Sequence, residues 1–167
     1  MSSTQEEADS KAKAGWAHVL DEIALLARIL RDKPLPDEGE GNVSHPPCLG
    51  IVPWAPVPGG PEILARYMSR VRKIAGGKDV YAKVCGVRYL VQDKPAGTML
   101  NADFVEGLKW LGRRGLTFDL GVDARQGGLW QLDEAVEMME RVHGSVAESE
   151  QVVIVISILT IPPLVMS

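Results

Sequence analysis

The stretch "KVCGVRYLVQDKPAGTMLNADFVEGLKWLGRRGLTFDLGVD", residues 83–123, changes period twice. Val87, Tyr89 and Val91 alternate with Arg88, Leu90 and Gln92, the period-two pattern of a strand with two unlike faces. From Asn101 the spacing opens to that of a helix. Phe104, Leu108 and Leu111 share one side, Asn101 is placed to cap the start, and Gly115 ends the segment. Alternation returns in "LTFDLGVD", where Phe118, Leu120 and Val122 oppose Thr117, Asp119, Gly121 and Asp123. Strand, helix, strand predicts a βαβ unit with parallel strands.

The same order extends in both directions. "CLGIVPWAPV" supplies a short apolar run that stops at prolines, and "PGGPEILARYMSRVRKIAGG" follows as a helix. Pro61 sits in its first turn, and Ile63, Tyr67, Val71 and Ile74 form its stripe. On the far side, "WQLDEAVEMMERVHG" reads as a helix striped by Leu132, Val136 and Met139 and stopped by Gly144. "QVVIVIS" then begins another strand, and its β-branched run predicts burial on both faces. Near the start, "GWAHVLDEIALLARIL" places Val19, Ile23, Leu26, Ala27 and Leu30 on one helical stripe. The Pro-rich "RDKPLPDEGEGNVSHPP" between these helices reads as a connecting loop.

The predicted class is α/β, with about four strand-helix units at intervals of roughly 30 to 36 residues and parallel strands. A (β/α)8 barrel takes about 250 residues, so this chain holds about half of one. An open doubly wound sheet is the alternative that suits the length.

Composition excludes several classes. The 167 residues are 46% hydrophobic and 24% charged, as in a globular domain. The 18 basic and 22 acidic residues are mixed along the chain, giving a net charge of −4, so no nucleic-acid partner is expected. "MSSTQEEADSKAKAG" has neither the apolar core of a secretory signal nor the bias of a transit peptide, which points to a cytoplasmic protein. The apolar run 152–166 is short for a bilayer span and is broken by Pro162 and Pro163, so no membrane partner is expected. Cys48 and Cys85 lie outside any CxxC spacing and are expected to be buried free thiols.

A charge inside a strand demands a partner. Arg88 and Asp119 occupy the polar faces of strands expected to be neighbours, so an ion pair between them is predicted, with ligand binding by Arg88 as the alternative. Ligands of parallel α/β folds sit beyond the carboxyl ends of the strands. The candidate substrate-binding residues are therefore Trp54, Arg88, Gln92, Asp123 and Arg125, with Asp93 beside them. Arg88 reaches them from below.

Other signals are weaker. His18, His45 and His143 show no ligand spacing, and no metal site or other cofactor is expected in this chain. "DARQGGLWQ" is Gly-rich before a helix but lacks GxGxxG and a P-loop lysine, so Gly127 and Gly128 are read as a tight turn. Trp54 follows a strand and is suited to stacking on a sugar ring, whereas Trp110 lies near a core stripe. No GxSxG elbow is present, and Asp119 and Asp123 are about 13 Å apart along a strand, too far to share a proton.

"LGIVPWAPVPGGP", "GVRYLVQDKPAG", "GLKWLGRRGLTFDLGVDARQGGLWQL" and "EAVEMMERV", in this order, resemble the amidohydrolase-related TIM-barrel hydrolases, most nearly the fungal sugar-acid lactonases of the rhamnono-lactonase type. The resemblance covers roughly residues 15–156. It implies a partial (β/α)8 barrel, hydrolysis of a lactone by water, and a lactone or sugar acid as small-molecule partner. In that setting Arg88 and Arg125 would hold a carbonyl or carboxylate oxygen, and Asp123 would orient water or a sugar hydroxyl.

Two departures stand out. The His-x-His by which the family positions a divalent metal or substrate is absent, and Ser157, Ile158 and Ile161 occupy the places where the family tends to carry Asn or Asp, His, and Lys. The resulting division is a polar N-terminal tail (1–14), a partial barrel (15–156) and a divergent C-terminal tail (157–167). Weak or absent activity is expected, with a partial or altered gene product as the explanation. The alternative is a non-catalytic half-barrel that associates with itself or with a full-length homologue through exposed sheet edges.

Overall fold

The computed structural model describes residues 3–31, 50–123 and 128–158. Cys48, His45, Arg125, Gly127 and the tail from 159 onward lie outside the described residues. In chain order the elements are α1 (Ser3–Leu30), α2 (Gly60–Ala75), the single turn α3 (Lys78–Tyr81), β1 (Gly86–Leu90), α4 (Ala102–Gly112), β2 (Thr117–Val122), α5 (Trp130–His143) and β3 (Ile154–Ile158). Short 3-10 turns, Val57–Gly59 and Glu148–Glu150, precede α2 and β3.

The three strands form one parallel sheet in the order β1-β2-β3. The predicted strand near Ile51 runs beside β1 but makes only two isolated parallel bridges, Ile51 to Val84 and Trp54 to Arg88. Backbone bonds still alternate along it, with Ile51 N–H donating to Lys83 O and Ala55 N–H to Arg88 O. Pro53 and Pro56 interrupt this edge because proline has no N–H to donate. Each strand segment thus lies beside the next one in sequence.

The sheet is unlike on its two sides. Val87, Phe118, Leu120 and Val122 are fully shielded or nearly so, and they pack with Leu64, Phe104, Leu108, Ala135 and Met138 into one core. Asn101 caps α4 as expected, its side chain accepting the Asp103 N–H at 2.9 Å. Gly112, at the end of α4, lies so close to β3's approach that an added Cβ would stand 2.1 Å from Glu150 O. Helix α1 continues through the polar residues back to Ser3 and packs its Trp16, Val19, Ile23 and Ala27 stripe into the core. Strand β3 runs through Ser157, past the boundary drawn at 156.

Three expectations need correction. The buried stripe of α5 is Gln131, Ala135, Met138 and Val142, while Val136 is exposed. Strand β3 is not buried on both faces: Val155 lies on the open face beside Asp119 with Val153 on the same side, Ile156 lies on the other, and all three are exposed. Cys85 is exposed rather than buried: the core takes its neighbour Val84, and the Cys85 Sγ lies 3.7 Å from Ile51 O at the edge of the sheet.

Candidate functional site

Opposite the helices, among the described residues, the sheet presents an open face. The register sets Arg88 of β1 beside Asp119 of β2, and Asp119 beside Val155 of β3. The predicted ion pair is present. Arg88 donates from Nε at 2.7 Å and from Nη2 at 2.6 Å to Asp119 Oδ2, while Ser157 Oγ donates to Asp119 Oδ1 at 2.7 Å. The burial is unequal: the Asp119 side chain is 11% exposed and that of Arg88 51%. The guanidinium is therefore not an interior charge, as the sequence suggested, but a solvated one fixed by a buried carboxylate. Its second terminal nitrogen has no partner among the described residues and remains available to a ligand oxygen.

Beside this trio the face turns apolar. Leu90 lies across Gly121, where an added Cβ would come within 2.3 Å of Leu90 Cδ2. The small residue lets the neighbouring side chain lie flat against the sheet.

At the strand exits a second tie appears. Gln131 is fully buried, its Oε1 accepting the Asp123 N–H at 3.0 Å and its Nε2 donating to Gln92 O at 3.2 Å. One amide thereby joins the ends of β1 and β2. Gly128, with φ +88°, supplies the left-handed residue that brings the chain round into α5, as the turn reading predicts. Gln92 and Asp123 are both half-buried, and the Gln92 side-chain oxygen is enclosed without a hydrogen-bond partner among the described residues. Asp93 is exposed, and the hydrogen bond from Lys94 at 3.0 Å holds its carboxyl below the usual range.

Trp54 stands at the register of Arg88 and is half-buried. Tyr67 of α2, itself fully buried, donates its hydroxyl to the Trp54 carbonyl. The rings of Tyr67 and Tyr89 lie 6.2 and 6.0 Å from the Trp54 ring. Burial, and then the nearby Glu22 charge, push the Tyr67 hydroxyl far above its ordinary value, so it stays a donor. This support leaves the indole little freedom.

The structure thus brings Arg88, Asp119 and Ser157 together mid-sheet and joins Gln92 to Asp123 through Gln131, while Trp54 meets Arg88 through its backbone and turns its ring toward Tyr67, Tyr89 and the core. Arg125 lies outside the described residues. Sequence reasoning missed Gln131 and the role of Ser157. A polar residue in a helix ordinarily reads as solvent-facing, and the pairing register that aims Ser157 at Asp119 is set by packing between strands.

The donor set on the open face does not fit a divalent metal, since its carboxylate is already held by a guanidinium and a hydroxyl. Among the described residues no three of His, Cys, Asp and Glu converge as ligands, and no helix is long and apolar enough to cross a membrane.

Comparison with known proteins adds one relative. The chain is similar to the L-rhamnono-gamma-lactonase of Scheffersomyces stipitis. They are 33% identical over 129 residues, which is 77% of this chain and 38% of the relative. The chain therefore spans well under half the length of the curated relative it matches, and the likeness supports a lactonase-like family. No family model and no solved structure matches.

Proposed function

We propose that the chain is a sugar-acid lactonase-like hydrolase of the amidohydrolase-related type, organised as part of a (β/α)8 barrel whose inner surface is the open sheet face. Two features support the architecture. The strand segments follow one another in sequence order, all parallel, whereas a doubly wound sheet reverses its order at a switch point. The helix-facing side is apolar while the other carries the polar trio.

The observation that carries the functional reading is the half-exposed guanidinium of Arg88, fixed by Asp119 with a terminal nitrogen to spare. A sugar-acid lactone offers a polarised carbonyl and a row of hydroxyls. In this reading Arg88 and Arg125 bind the carbonyl or product carboxylate oxygen, Asp123 and Gln92 orient hydroxyls or water, and Trp54 stacks on the ring. In this reading these residues bind and orient. The isoleucine at 158, where the family resemblance implies a histidine, supports slow turnover by this chain.

The test is titration with L-rhamnono-γ-lactone and its open aldonate, followed by NMR for binding and by pH-stat for hydrolysis. Expected are shifts at Arg88 and Asp123, affinity reduced about tenfold or more in Arg88→Gln, and slow ring opening. Binding indifferent to Arg88→Gln would overturn the assignment of the site.

A second reading is a non-catalytic module that self-associates through β3. It is favoured by the exposure of Val153 and Val155, at 65% and 48%, side by side on the open face of the last described strand. A dimer by light scattering that Val155→Lys returns to monomer supports this reading. A monomeric parent chain removes it.

A further inference from the structure

At the end of the sheet opposite the strand exits lies a groove that the reading above does not use. Residues of α2, the α3 turn, the end of α4 and the stretch after it border an open groove of about 560 Å3, within the size range of small-ligand sites. Val84 and Leu116, which lead into β1 and β2, line it together with Met68 and Trp110. Met68, Val84 and Trp110 belong to the buried core cluster and Leu116 packs against it, so apolar side chains form one part of the lining, and Ser69, Arg72 and Arg114 supply a polar part.

Two arginines stand on this apolar ground. The Arg72 guanidinium lies 5.6 Å from the Tyr81 ring centroid, and that of Arg114 lies 3.7 Å from the Trp110 ring. Arg114 also donates to Trp110 O at 3.3 Å. These contacts hold each guanidinium near an aromatic ring, Arg114 the more closely, while leaving its N–H groups able to donate. Acidic residues outnumber basic ones in this chain, 22 to 18, yet neither arginine is paired with a carboxylate among the described residues. Their charge is held over a partly apolar groove without being neutralised.

We propose that this groove binds a small organic anion with an apolar body. The body lies against Met68, Val84, Trp110 and Leu116, and a carboxylate or phosphate accepts from Arg72 and Arg114. Two cations in a chain of net charge −4 do not form the continuous basic track that nucleic acid requires. Because the groove joins α2 to α4, an occupied groove holds those helices together and raises the melting temperature.

The experiment uses the full chain with 2-naphthoate as probe, read by calorimetric titration and thermal unfolding. The neutral 2-naphthamide shares its body, and acetate shares its charge. One saturable site is expected for naphthoate, about tenfold or more tighter than for either comparator. Arg72→Gln and Arg114→Gln each weaken it about tenfold or more, while Arg113→Gln, outside the groove, leaves it unchanged. Amide shifts in the parent protein provide a readout independent of any variant, and they are expected at Arg72, Val84 and Leu116. Equal binding of naphthamide, indifference to both groove variants, shifts confined to the strand exits, or no saturable binding would each overturn the proposal.

Discussion

Asp119 holds Arg88 through one carboxylate oxygen and Ser157 through the other, so a single nearly buried side chain links all three strands of the sheet. The partners are unequal in what their loss leaves behind. Without Arg88 a carboxylate that is 11% exposed loses its cation, whereas without the Asp119 charge a half-exposed guanidinium is simply hydrated. Arg88→Met is therefore expected to cost about 2–3 kcal/mol and Asp119→Asn about 1 kcal/mol, measured by urea denaturation. Equal costs would contradict this ordering.

Gln131 offers a sharper test of the strand exits. Gln131→Leu keeps the bulk but abandons the Asp123 N–H and the Gln92 carbonyl, at about 2–3 kcal/mol. Amide exchange is expected to accelerate around Gln92 and Asp123 while α4 stays protected. Gln131→Glu adds a sign. A carboxylate buried there is favoured in its neutral form, so the deficit relative to the parent is expected to shrink as pH falls.

Tyr67 sets the behaviour in alkali. Its hydroxyl is raised above the ordinary tyrosine value of about 10 by burial first and by Glu22 second. A group raised in the folded state contributes stability that is whole below the unfolded value. That contribution is lost as pH climbs from there through the folded value. The parent is expected to lose stability above pH ~10 more steeply than Tyr67→Phe, which gives up about 0.5–1.5 kcal/mol at neutral pH with the hydrogen bond to Trp54 O. Parallel pH profiles for the two proteins would refute the argument.

Gly112 and Gly97 separate close packing from backbone conformation. At Gly112 an added Cβ would press on the backbone of Glu150 and Val152, at 2.1 and 2.7 Å, so Gly112→Ala is expected to cost about 3 kcal/mol or more. At Gly97 nothing lies within 4 Å and only the positive φ opposes a side chain, which limits Gly97→Ala to about 1–2 kcal/mol. Thermal unfolding of the two variants decides the order.

Cys85 is exposed and is expected to react fully with a thiol reagent under native conditions in a Cys48→Ser background. Protection until denaturant is added would restore the buried reading.

What was legible in the sequence follows from what is local. Alternation in "GVRYLVQD" and "LTFDLGVD" correctly separates Val87 and Phe118 from Arg88 and Asp119, because the pleat enforces period two within each strand. Asn101 announces its cap within two residues. In α5, by contrast, Leu132 and Val136 satisfy a helical stripe as well as Ala135 and Met138 do, and only the neighbouring strands select which turns inward. That choice buries Gln131, a residue hydropathy alone assigns to solvent. The Arg88–Asp119 pair was recoverable because adjacent parallel strands were assumed. Ser157 was not, because it meets Asp119 two residues beyond that residue's own partner, Val155.

The sequence-ordered sheet also bears on synthesis. The Arg88–Asp119 contact closes 31 residues and the Ser157–Asp119 contact 38, so no strand waits for a distant partner. Closure entropy grows only as the logarithm of loop length, which makes the two steps nearly equal in cost. As the chain leaves the ribosome, each strand emerges directly after the one whose edge it joins, so the order of synthesis is the order of the sheet.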